Sequence, residues 1–223
     1  MTWDTYDLWR YVHVLLFVYW LGADLGVFYA AKFVVRSDLS VAERRRFLEL
    51  TLLIDMGPRT GLILILPVGF QLSVMSGLIE LYAWALGLIW LFSLIWLAVM
   101  WAGHLQHHSG SRGHLRRIDM WFRYTAIISM AALGTLSLTT NEPFLASWLS
   151  LKAVLFATVV AIGMYLRTII SAWGLGFEKL MRDDECEEGN CLIASAGRKG
   201  TLGALLLWAL LFAISFLGVI KPL

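Results

Sequence analysis

The chain has 223 residues, 59% of them hydrophobic and 15% charged, with a formal net charge of +2 and a mean hydropathy of +0.72. Soluble domains carry close to a quarter charged residues, so this composition excludes an ordinary globular domain and reads as an integral membrane protein. The small, scattered positive balance gives no footprint for nucleic acid, and membrane lipid is the first partner it implies.

Six apolar stretches reach bilayer length, near 9–34, 58–79, 82–103, 120–139, 146–170 and 201–220. Roughly 20 apolar residues suffice to cross a hydrocarbon core, so the expectation is an all-α integral membrane protein with six transmembrane helices in a single domain, 1–223. Asp4 and Asp7 precede the first stretch, with no basic region before it and no small-residue cleavage site after it. The first helix is therefore expected to be retained rather than removed as a signal peptide. Eleven tryptophans suit an interfacial aromatic belt. Segment 40–56 reads as an amphipathic start to helix 2, and 177–200 as a charged cytoplasmic loop.

Basic residues alternate between the connections. Lys32, Arg36 and Arg44–Arg46 lie between helices 1 and 2, Arg112, Arg116 and Arg117 between 3 and 4, and Lys179, Arg182, Arg198 and Lys199 between 5 and 6. The 2–3 and 4–5 connections carry only Glu80 and Glu142. The positive-inside rule then predicts both termini outside, in the periplasm, of a multi-pass protein of a bacterial inner membrane.

Within helix 1, His13, Trp20 and Asp24 share a face, both of the latter within roughly 20° of His13 at ~100° per residue. Ionisable groups in hydrocarbon are costly and turn to a bundle interior. This stripe is expected to wall a site. Asp24, roughly 16 Å along the helix from His13, suits either a charge pair with Arg59 or Lys32 or a proton relay.

Ile54-Asp-Met-Gly-Pro-Arg59 and Ile118-Asp-Met-Trp-Phe-Arg123 share a pattern. Each sets Asp and Arg four residues apart, the spacing of a helical ion pair. Two readings stand side by side: a pair of helix-start signals, or a duplicated hairpin in which Arg59 and Arg123 hold an anionic group such as a propionate, a lipid or a quinone-site ligand.

The histidines divide by depth. His13 lies near the outer face, whereas His104, His107 and His108 lie at the cytoplasmic end of helix 3, most of a membrane away at ~1.5 Å per residue. His13 and that cluster therefore cannot ligate one haem together. The cluster, with His114 after it, reads either as a polar helix end in water or as a second metal or haem site. No His-Glu-x-x-His motif is present, which argues against zinc hydrolase chemistry. Lys152 lies at the depth of His13. There it would either snorkel to the surface or, as a neutral amine, ligate a metal or donate a proton. Cys186 and Cys191 flank an acidic run. In a reducing cytoplasm they read as incidental thiols, or else as a redox or metal-sensing loop.

His13-x6-Trp20-Leu-Gly, Glu43-Arg-Arg-Arg-Phe before a proline-containing helix, Trp148-Leu-Ser-Leu-Lys152 and the closing Val219-Ile-Lys-Pro-Leu together resemble the bacterial membrane protoporphyrinogen IX oxidase family. The first helix also resembles that of the copper-resistance D-type membrane proteins. The chain differs from the oxidase pattern by an additional helix pair, by Ser150 in place of a histidine and by its charged connection between helices 5 and 6. The resemblance implies haem b as cofactor, with His13 and Lys152 at the iron. It implies an oxidoreductase or electron-transfer role with a porphyrin or quinone partner, acting alone, as a homo-oligomer or within a larger redox complex. Copper transport or resistance, and a non-catalytic haem-bearing membrane anchor, are the alternatives. Soft Cu(I) favours methionine and cysteine ligands, and the eight methionines are dispersed.

Overall fold

The computed structural model describes residues 4–105, 112–183 and 186–222. They form seven helices: α1 (Thr5–Val34), α2 (Val41–Ile54), α3 (Met56–Met75), α4 (Ala83–Leu105), α5 (Arg112–Thr140), α6 (Ser147–Leu180) and α7 (Glu187–Ile220). The described residues contain no strand, only an isolated bridge between Ile79 and Phe144. His107 and His108 lie outside the described residues.

Local chemistry sets the boundaries. The Asp4 side chain accepts from the Tyr6 N–H at 3.3 Å and starts α1. Ser40 and Glu43 form a reciprocal capping box that starts α2, satisfying N–H groups that the first turn leaves without helical partners. The α2 segment is the amphipathic helix expected over 40–56. It runs into α3 with one residue, Asp55, between them. Gly77, at φ 67°, turns the chain after α3, a left-handed conformation that glycine adopts without a Cβ penalty.

Among the described residues, five segments are long and apolar enough to cross a membrane: α1, the combined α2–α3 unit, α4, α6 and α7. The chain is a multi-pass membrane protein. The stretch expected as the fourth crossing, within α5, falls short of that standard because Arg123 and a series of serines and threonines dilute it. Those hydroxyls bond back to their own helix, as Thr135 does to Ala131 O at 2.7 Å and Thr139 to Leu136 O at 2.8 Å.

Among the described residues, the long helices pack as a ring in the order α1, α3, α4, α5, α6, α7 and back to α1. Among the described residues, no Cα of a ring helix comes within 8 Å of a Cα on a helix across the ring. Small residues set the closest seams: a Cβ on Gly61 would lie 2.9 Å from Trp20 Cβ, and one on Gly134 would lie 2.7 Å from the Ser150 carbonyl oxygen. Close backbone approach of this kind is how membrane helices associate without a hydrophobic drive between them.

The connections sort to two ends. At one, the α3–α4 and α5–α6 turns meet, with Leu145 N–H donating to Leu78 O at 3.0 Å. The C-terminal Lys221 ammonium lies 5.6 Å over the Trp148 ring at the start of α6. At the other end, buried Arg44 donates to Val34 O at 3.0 Å and to Asn190 Oδ1 at 2.7 Å, tying the α1–α2 turn to the α6–α7 hairpin.

The segment expected as a loop over 177–200 is instead helical on both sides of a short turn. α6 continues to Leu180 and α7 begins at Glu187. Glu187 and Glu188 open that helix, where carboxylates complement its dipole, and Lys179 pairs with Glu188 at 2.5 Å. Val34, Ile169, Trp173, Phe177, Leu180, Ile193 and Ala196 form a second apolar core there, separate from the larger core inside the ring.

Candidate functional site

Two groups of polar side chains lie among the ring helices, at different depths. The first is His13 with Lys152. His13 projects from α1 toward α3, where a Cβ on Gly69 would meet its Cε1 at 3.5 Å, and Lys152 projects from α6 toward α7, its Nζ 3.0 Å from the Cβ position of Gly218. The helices that carry them make no direct packing contact, yet Lys152 lies within electrostatic reach of His13. His13 Nδ1 is buried and has no hydrogen-bond partner among the described residues. An imidazole nitrogen left this way calls for a missing partner, since buried polar atoms are almost always satisfied.

The second group lies deeper. Counted from the helix ends near Thr5, Asp24, Asp55, Arg59, Asp119, Arg123 and Arg167 sit about 16 to 21 residues in, or ~25–30 Å, one hydrocarbon thickness. Both local pairs expected from the repeated motif form: Asp55 with Arg59, and Asp119 with Arg123 at 3.1 Å. Arg167 Nη1 joins the second at 2.6 Å from Asp119 Oδ2, and Trp96 Nε1 donates to Asp119 Oδ1 at 2.9 Å. One carboxylate thus holds two guanidiniums and an indole. Arg123 is only 3% exposed, and its Nη2 finds no acceptor among the described residues.

Asp24 pairs with neither Arg59 nor Lys32. It accepts from Trp208 Nε1 at 2.6 Å, while Lys32 Nζ lies 4.6 Å over the Phe28 ring. Trp20 is buried and lies between His13 and Asp24 along α1.

Two cavities meet at the deeper group. The larger, about 370 Å³, is walled by α1, α3, α6 and α7 and reached by Asp24, Arg59, Arg123 and Arg167. The smaller, about 290 Å³, lies between α4, α5 and α6 beside His104 and Arg116. Arg59 and Arg167 line both. Neither cavity includes His13 or Lys152.

The residues expected to surround one cofactor therefore separate. On α3, Arg59 is ten residues from Gly69, the neighbour of His13, a rise of ~15 Å. Arg167, Trp96, Trp208, Gly69 and Gly218 were not legible as site residues in the sequence; the only mark was a lone arginine within an apolar helix. Among the described residues, no group of three His, Cys, Asp or Glu side chains is placed to hold a metal ion.

No family model, curated protein or solved structure matches the chain.

Proposed function

We propose that the protein is a haem-b-binding membrane oxidoreductase or electron-transfer protein, with the haem held between α1 and α6 by His13 and Lys152. The observation that carries this reading is the buried His13 Nδ1 without a partner among the described residues, with the Lys152 amine within electrostatic reach. An imidazole and an amine are a chemically suitable pair of nitrogen ligands for haem iron. When bound, the haem would supply one-electron chemistry, its potential tuned by these ligands and by burial.

In this reading Trp20, below His13, closes the haem level toward the deeper cavity, and Asp24 holds a carboxylate there for proton exchange with the basic end. The resemblance in the motifs around His13, Trp20 and Lys152 adds a porphyrin-type or quinone-linked substrate. We place both termini outside a bacterial inner membrane and the α1–α2, α4–α5 and α6–α7 connections in the cytoplasm, with α5 as a sixth crossing. The alternation of basic connections and the two-ended sorting of the turns support that orientation.

Pyridine haemochrome analysis of protein purified from haem-replete cells tests the cofactor directly. Haem b at one per chain supports the proposal. A colourless preparation contradicts it.

A further inference from the structure

We infer that the larger cavity binds an amphiphile with an oxyanion head, carboxylate or phosphate, seated on Arg123 with its apolar body between α1 and α7. The inference rests on residues other than His13 and Lys152 and is independent of haem binding.

Three observations carry it. The buried Arg123 guanidinium lines the cavity and keeps one nitrogen, Nη2, without an acceptor among the described residues. A guanidinium is a planar fork suited to oxyanions, and an unsatisfied buried donor favours a ligand that supplies the missing acceptor. Charge points the same way. Lys32, Arg59, Arg123, Arg167 and Arg198 line the cavity against Asp24 and Asp55; even with Asp119, which holds two of the arginines from behind, two positive charges remain in surplus.

The walls and the depth then select an amphiphile over a free anion. Apart from these groups the lining is mainly aliphatic and aromatic, with Phe28, Leu166 and Leu207 among it. The guanidiniums sit one hydrocarbon thickness from the opposite end of the bundle, where an anionic head meets the inner face of a bilayer. Gly163 lines the cavity and has open space where a Cβ would be, so the wall there is left clear for a chain.

The test is equilibrium binding to the purified full-length protein in neutral detergent, using dioleoyl phosphatidylglycerol, oleate, dioleoyl phosphatidylcholine and inorganic phosphate as separate probes. We expect phosphatidylglycerol or oleate to bind at least roughly tenfold more tightly than phosphatidylcholine, whose phosphate brings a choline cation into the surplus positive charge of the cavity. The tighter of the two names the source of the oxyanion. Arg123→Gln should remove that preference. Should Arg123→Gln fail to fold, Gly163→Leu decides the matter: it fills the cavity without touching a charge, and should weaken the chain-bearing probes roughly tenfold. Equal binding of phosphatidylcholine, binding unchanged by Gly163→Leu, or inorganic phosphate binding as tightly as the amphiphiles would each overturn the inference.

Discussion

Arg167 Nη1 lies 2.6 Å from Asp119 Oδ2, the same oxygen that accepts from Arg123 Nε at 3.1 Å. The first contact crosses from α6 to α5, and the second stays within one turn of α5. Together they fix the register of two neighbouring helices around a single buried carboxylate.

Removing that carboxylate leaves two guanidiniums buried without compensation. Breaking a buried pair from one side costs about 3–5 kcal/mol. Asp119→Asn should therefore lower the thermal unfolding midpoint in detergent far more than Arg36→Gln, whose partner Asp38 is exposed, a class of pair worth about 0–1 kcal/mol. Circular dichroism melts of the two variants make the comparison.

Packing of α5 on α6 depends on the absence of a side chain at Gly134, where a Cβ would press within 2.7 Å of Ser150 O and of Val154. Gly134→Ala should destabilise by about 1–3 kcal/mol through overpacking. Gly22→Ala has open space around it and should be neutral or stabilising by up to about 1 kcal/mol, because alanine favours a helix over glycine. Thermal melts should separate the two substitutions in sign.

Arg44 holds the extended end together through Val34 O and Asn190. Arg44→Met keeps the bulk but strands both acceptors, a loss of about 1–3 kcal/mol. The α6–α7 turn should then be cut by trypsin at Arg182 sooner than in the wild type, while the ring helices stay protected. Uniform cleavage along the chain would show that Arg44 does not act locally.

Orientation is tested with the two free cysteines of the basic end, of which Cys191 is exposed. A membrane-impermeant maleimide should leave intact spheroplasts unlabelled and label inverted vesicles. Tyr82→Cys, placed at the other end where Tyr82 is 77% exposed and combined with Cys186→Ser and Cys191→Ser, should show the reverse pattern.

How much of this was legible in the chain depends on sequence distance. Helix existence, the amphipathic α2 and both i,i+4 acid–base pairs follow from local periodicity and spacing, and depth along α1 and α6 is enough to bring Lys152 within electrostatic reach of His13. Partners far apart in sequence were not readable. Asp24 could equally have met Arg59 or Lys32, and only the packing of α7 beside α1 gives it Trp208, 184 residues away. The same limit hid Arg167, whose partner lies on another helix. The stretch 177–200 looked like a loop because it is charged. Its helices form because Gly176 and Gly189 let α6 and α7 cross closely, with the Cβ position of Gly176 only 3.1 Å from Gly189 O. Composition alone does not reveal such a crossing.

The haem proposal turns on His13, and the most direct measurement is the visible absorption spectrum of His13→Ala beside the wild type, both purified from haem-replete cells. The account predicts a Soret band with a haem b haemochrome in the wild type and its loss in His13→Ala, with the folded fraction unchanged by size-exclusion chromatography. A wild-type protein without a chromophore, or a His13→Ala variant with an unaltered spectrum, would contradict it.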